Sequence, residues 1–500
     1  MNYKGKSVLL LGSYIDTRKS SKTFVLTENA KLWDISLKGA LTTALTECEK
    51  SVAEEKVKIF HFEDPLTDEI LKGFDRVAVA YLGPLCVPKG VENVDKRIDN
   101  LMRGISSALR LLTTRLFTDI YIESCGNPKI VGTAAALTLP DYFLLNRNLE
   151  PQIHIKYFDK NHQEGKREFE QGIILGNGQT LAQLLMKSTS LSDFISTVQT
   201  FLQKINVPVI KRDKNWIREK KMEALLSASV GSVEDPVILE IACKSLNAGV
   251  KPLILVSKAT PYEHSSLALK NKPDLQEFPF KTSMGGASSL VGCLYSLCKL
   301  QVRVYVHCIL VLVCQQQTEV VSRCENIICT MNGTTIQLDY PRPEGRLIMA
   351  DALCYADTFD AAAIVDVTSI ASYVDELIGN SYVAVFTRDD LLFKLIQQAS
   401  CTSGEKIWRL PLYDCFNEFL KTTKSANICC VGESEKTAIA CKLAAFLCEF
   451  VKSNDSWAHL DISAVCQCTG KKEYLNDWAT GRSTRLLTEF CVEYFKKGGK

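Results

Sequence analysis

Strand-length apolar runs alternate with helix-length segments along nearly the whole chain, and this alternation limits the fold to the α/β class. In the second half the runs are Val237–Ser245, Lys251–Lys258, Val304–Cys314, Ala361–Ser369 and Tyr382–Arg388. They are near-continuous in apolar content, as expected of a sheet covered on both faces. Between them, Ala287–Leu300, Gly345–Ala356 and Thr437–Val451 read as helices. In the first third, Lys6–Ile15, Val57–Glu63, Arg76–Pro84 and Asp119–Gly126 read as strands. There, Asp99–Thr114 places Leu101, Ile105, Leu109 and Leu112 at the interval of one helix face.

Five hundred residues exceed one ordinary core, so two domains are expected. The polar stretch Phe158–Arg167 marks the boundary, and Gly178–Phe201 reads as one long helix. The expected division is an N-terminal α/β domain over 1–160, a linker helix region over 161–200 and a larger C-terminal domain over 201–500. Each is expected to be a mixed or mostly parallel sheet flanked by helices.

Hydrophobic residues are 46% and charged residues 23%, the balance of a packed soluble protein rather than a disordered chain. Lys plus Arg total 59 against 57 for Asp plus Glu, a net charge of +2, so no nucleic-acid or acidic-membrane partner is expected. The longest uncharged apolar run, Val304–Cys314, has 11 residues, too short to span a bilayer, and reads as a buried strand. The first residues show no secretory leader, and most of the 20 cysteines sit inside apolar runs, where a free thiol behaves as a small hydrophobe. A reducing compartment follows: the cytoplasm, with the mitochondrion as the alternative. Cys429-Cys430 and Cys466-x-Cys468 lack the spacing of a structural zinc site and read as packing.

Several chemistries find no support. Gly176-Asn-Gly178 lacks the third glycine of a dinucleotide fingerprint, and Gly432–Lys436 carries acids where a phosphate cradle needs bare amides. There is no H-E-x-x-H or G-x-S-x-G, and the six histidines are scattered. Three segments remain at strand ends or ahead of helices, where open α/β sheets hold ligands. They are Lys258–Lys270, Phe280–Ala287 and Tyr340–Ala356, and they contribute Lys258, Glu263, Lys270, Ser283, Arg342, Glu344 and Arg346. A salt-bridge network is the plainer reading of such a set.

In order and near-family spacing, these segments resemble motifs of the leucyl (cytosol) aminopeptidase family: G-K-G-I-T-F-D-S-G-G-x-S-x-K, M-K/R-x-D-M-G-G-A and N-T-D-A-E-G-R-L-x-L-A-D-A-L. The resemblance runs from about Gly172 to Phe495 and takes in Trp457–Ile462 and Gly481–Arg485. It implies two adjacent divalent metals, zinc or manganese, that bind a substrate's amino group, polarise its carbonyl and hold the attacking water. Carried over by position, Lys258 keeps the amine ligand and Glu344 the glutamate ligand, while Glu263 stands for an aspartate. Ser283 and Arg342 stand where the family has aspartates. Lys270 keeps the catalytic lysine and Arg346 the arginine that holds a bicarbonate. Ile370 falls in the substrate wall, Ser369–Ser372, where the family has T-L-T-G.

Hard divalent ions need anionic oxygen ligands at ~2.0–2.2 Å, and a guanidinium supplies none. At ~4 Å and an effective dielectric of 20, two like unit charges repel by about 4 kcal/mol, and a dication doubles that. His264-Ser265-Ser266 also replaces S-G-G, and Cys324-Glu325-Asn326 replaces P-G-D. The expectation is a catalytically inactive or strongly impaired homologue, similar to degenerate paralogues of insect sperm. It would hold no metal or one weak divalent ion, and have a structural or binding role in a hexamer. The alternatives are a weakly active metal-dependent aminopeptidase releasing residues such as leucine, and a peptide- or amino-acid-binding module.

Overall fold

The computed structural model describes the chain apart from residues 1–6, 17, 19–22, 48–55, 62–73, 75, 88–93, 146–152, 160–162, 233, 246–248, 262–281, 315–325, 340–343, 371–373, 432–436, 453–455, 468–472, 476–478 and 498–500. It divides into two compact units, Met1–Thr180 with Gly470–Asp477, and Leu181–Thr469 with Trp478–Lys500. The division falls inside the helix Gln163–Leu185.

The first unit holds β1 (Ser7–Asp16), β2 (Thr23–Leu26), β3 (Val57–His61), β4 (Arg76–Pro84), β5 (Asp119–Ile122) and β6 (His154–Tyr157). Their order is β3-β4-β1-β5-β6, with β2 paired to β1. The β4, β1, β5 and β6 strands run parallel, and β3 is antiparallel at the edge. Val8, Leu9, Leu10 and Leu11 of β1 are all fully buried, so the central strand is covered on both faces. Helix Lys96–Thr114 is one cover. Asp95 caps it by accepting from the Arg97 amide, and Leu101, Ile105, Leu109 and Leu112 are buried.

In the second unit the strands are β7 (Val209–Arg212), β8 (Val237–Lys244), β9 (Leu253–Ala259), β10 (Tyr305–Leu312), β11 (Ile327–Cys329), β12 (Thr335–Gln337), β13 (Ala363–Thr368), β14 (Tyr382–Thr387), β15 (Lys406–Arg409), β16 (Ile428–Cys429) and β17 (Trp457–Asp461). Eight form a mixed sheet in the order β15-β14-β17-β13-β9-β10-β8-β7, and β11, β12 and β16 form a small one. The parallel centre, β10-β9-β13-β17, is flanked by antiparallel pairs. Every residue of β9 and β13 is buried. The two-domain α/β expectation therefore stands, with sheets of mixed sense.

Two local readings are corrected. Gly178–Phe201 is two helices, Gln163–Leu185 and Leu191–Gln203. The break is a capping box. Ser190 Oγ accepts from the Asp193 amide at 3.0 Å, while the Asp193 carboxylate accepts from the Thr189 amide at 2.9 Å. The first of these helices also starts at Gln163, inside the stretch read as a boundary. Among the described residues, no helix is long and apolar enough to cross a membrane. All 17 described cysteines are free, with Cys429, Cys430 and Cys466 buried as packing residues; Cys468 lies outside the described residues.

Candidate functional site

The parallel strands β9 and β13 end side by side, and the described candidates Lys258, Ser283 and Ile370 gather at that edge. Lys258 is the penultimate residue of β9 and only 2% exposed. The 3-10 turn Thr282–Met284 carries Ser283, 1% exposed, into the buried helix Gly285–Lys299. Lys258 Nζ donates to Ser283 Oγ at 2.5 Å and to Thr260 Oγ1 at 3.5 Å. The Thr260 and Ser283 hydroxyls also contact each other. An amine and two hydroxyls thus form one buried polar cluster.

Helix Glu344–Ala356 brings its first turn to the same place. A Cβ built on Gly345 would lie 3.2 Å from Lys258 Cε and 3.5 Å from Ile370 Cγ2, so glycine lets the helix start close against the lysine. Ile370 follows β13, and its neighbour Ser369 donates to the Thr282 carbonyl at 2.7 Å. Lys258, Ser283, the Glu344–Gly345 turn and Ile370 are therefore brought together. Arg346 is engaged elsewhere: its Nη1 donates to the Cys430 carbonyl just past β16. Glu263, Lys270 and Arg342 lie outside the described residues.

The glycines before Ala287 have a packing role. A Cβ on Gly286 would lie 2.1 Å from the Val367 carbonyl oxygen and 2.3 Å from Ser257 Oγ, so only glycine lets this helix sit on β13. Other motif residues prove to be clasps. Asp351 is fully buried and accepts from the Leu225 and Met331 amides, both at 2.8 Å. Burial pushes its pKa up to about 7. Glu405 accepts from the Leu486 amide at 2.8 Å and faces Arg485 at 3.6 Å, so Gly481–Arg485 is a tie between a strand and a helix start. Asp366 of β13 holds both Trp457 Nε1, at 3.0 Å, and His459 Nδ1, at 2.6 Å. Burial opposes a charge on His459, but the adjacent Asp366 carboxylate outweighs it and raises the imidazole pKa.

Lys442 escaped sequence reasoning. It is 1% exposed on helix Ile439–Cys448, with Nζ 4.7 Å from the centre of the Phe419 ring. Burial and then the nearby Arg346 charge lower its pKa. The only signal was a lysine inside the apolar run Ile439–Cys448.

At the centre of the described cluster stand an amine that spends hydrogens on two hydroxyls, and a neutral oxygen at 283 in place of a carboxylate. Among the described residues, no three His, Cys, Asp or Glu side chains group as metal ligands do.

A family model described as the cytosol aminopeptidase family, catalytic domain, matches residues 179–488. The Xenopus tropicalis cytosol aminopeptidase is 28% identical over 505 residues, covering 98% of this chain and 94% of that protein. The Bos taurus cytosol aminopeptidase is 30% identical over 410 residues, covering 81% of this chain and 78% of that protein. Among solved structures, the bottromycin maturation enzyme BotP superposes with a TM-score of 0.76 at 19% identity, covering 99% of this chain and 100% of that one. The BotP likeness speaks to the fold alone. With the family region spanning more than half its length, the chain belongs to the cytosol aminopeptidase family.

Proposed function

We propose that this chain is a cytosol aminopeptidase homologue that has lost most or all two-metal peptidase chemistry and acts as a structural or binding protein in a hexameric assembly. The observation that carries the reading is the Lys258–Ser283 hydrogen bond, which joins the family's amine ligand to a neutral hydroxyl where the family has an aspartate. Arg342 adds a permanent cation at a second family ligand position. An inert site in a retained fold leaves a peptide or free amino acid as a ligand to be held rather than cleaved.

Lys258, Glu344 and Arg346 are retained, and this favours a second reading: a weakly active aminopeptidase that uses one weakly held zinc or manganese ion. Leucyl-amide hydrolysis by the purified protein, with and without added manganese or zinc, separates the two. Sedimentation beforehand establishes an intact assembly. Background-level turnover from an intact hexamer is the expected result; metal-dependent turnover well above background overturns the inert reading.

A further inference from the structure

The first unit contains a cavity of about 650 Å³ that the peptidase reading does not use. It opens where β1, β5 and β6 end, at the carboxyl edge of a parallel sheet, where α/β folds hold ligands. Its volume suits a small molecule. Glu123, one residue past β5, lines it while being 1% exposed. One carboxyl oxygen, Oε1, accepts from the Gly12 amide at 2.5 Å and contacts the Thr27 hydroxyl. Asn29 and Cys125 approach the carboxyl, yet the second oxygen, Oε2, has no hydrogen-bond partner. A buried carboxyl oxygen without a partner, on a residue of the cavity wall, wants a donor.

The surrounding charge says which kind. Glu28, Asp159, Glu164 and Glu168 also line the cavity, against one cation, Lys31, among the described lining residues. Glu28 and Glu164 stand in first helical turns, where acids complement the helix dipole, so they have a structural reason to be there. Glu123 has no such reason, because it follows a strand. Tyr14 and Tyr157 come from β1 and β6, the strands on either side of β5, and give the cavity aromatic surface. Tyr157 donates its hydroxyl to Asp159 at 3.1 Å, which fixes that acid at the wall.

We propose that this cavity binds a small organic amine, its ammonium group donating to Glu123 Oε2 and its apolar body lying against Tyr14 and Tyr157. An ammonium supplies the missing donor, is drawn by the acidic wall and favours aromatic faces. The site lies between residues 14 and 168, outside the matched family region 179–488, so it stands whether or not peptidase chemistry is lost.

Calorimetry of the full chain with benzylamine tests the proposal, with benzyl alcohol as the neutral isostere. Saturable benzylamine binding is expected, at least about tenfold weaker in Glu123→Gln and in Asp159→Asn, with no benzyl alcohol binding. Hydrogen exchange should show protection over residues 119–126 and 154–159. Asp159 is only half-buried, so Asp159→Asn carries the test if the buried variant fails to fold. Absence of saturable benzylamine binding, equal binding of the alcohol, affinity unchanged in the folded variants, or protection confined to 282–290 and 344–350 overturns it.

Discussion

Putting the carboxylate back at position 283 tests directly the proposal that the neutral hydroxyl there limits metal binding. In Ser283→Asp the new carboxylate would enter the space where Ser283 Oγ now meets Lys258 Nζ at 2.5 Å, in a cluster 1–2% exposed. Solvent screening is weak there. A carboxylate and a dication ~4 Å apart attract by about 8 kcal/mol at an effective dielectric of 20. Desolvating the carboxylate returns several kcal/mol, leaving a gain of about 2–4 kcal/mol. That corresponds to roughly 30- to 1000-fold tighter metal binding. Manganese and zinc titration calorimetry on wild type and Ser283→Asp measures it. Leucyl-amide hydrolysis should stay near background in the single variant, since Arg342 still occupies a second ligand position. It should rise in Ser283→Asp combined with Arg342→Asp. Two tightly bound metals in the wild type, or no change in affinity on Ser283→Asp, would refute the argument that the neutral hydroxyl limits metal binding.

Gly286→Ala should destabilise the second unit by about 3 kcal/mol, read as a lowered urea midpoint, because its Cβ meets backbone at 2.1 Å. Glu405→Ala should cost about 3–5 kcal/mol by the same measurement, since it leaves buried Arg485 without its carboxylate. Asp351 gives a pH signature. Its pKa moves from 3.8 to about 7 on folding, so between those values the unfolded chain releases a proton that the folded chain keeps. Stability therefore falls as pH rises from about 4 to 7, by up to about 4 kcal/mol from this group, and levels off above 7. Asp351→Asn should flatten that slope in urea melts at pH 5 and 7.5. It should also cost about 1–3 kcal/mol, because one amide oxygen cannot satisfy both backbone donors.

The sequence was legible where one physical term dominated. The run Val304–Cys314 became β10 because uninterrupted apolar residues can only be buried, and the face Leu101-Ile105-Leu109-Leu112 packed as its spacing required. β17 was not legible as a strand, because His459 and Asp461 break its apolar character. Both polar groups are buried all the same, and Asp366 of the neighbouring strand bonds one ring nitrogen of the histidine, Nδ1. The helix break at Ser190 was written in the polar run Lys187–Ser190, but apolar residues at helical spacing on either side of it hid the cap. At the candidate site the residue types were readable from the motifs. What they touch was not: the contacts join a strand end, a turn and a helix start far apart in sequence. The same holds for Glu123, whose open oxygen depends on β1 supplying the Gly12 amide from 111 positions away.

The family motifs in this chain sort by what their residues do. Among the motif residues, Asp351, Arg485 with its partner Glu405, Trp457 and His459 with their partner Asp366, and Gly286 each tie one element to another. Replacing any of them would leave buried donors unmet or force backbones into contact. Position 283 is different in kind. A serine there is smaller than aspartate, carries no charge to desolvate, and has its hydroxyl met by Lys258 and Thr260. The lysine in turn keeps partners that a lost carboxylate would otherwise have taken from it. Substitution at the metal position is therefore cheap for the fold, whereas substitution at a clasp is not. Under the proposed inert reading, a chain that needs only its shape tolerates the first kind of change and not the second.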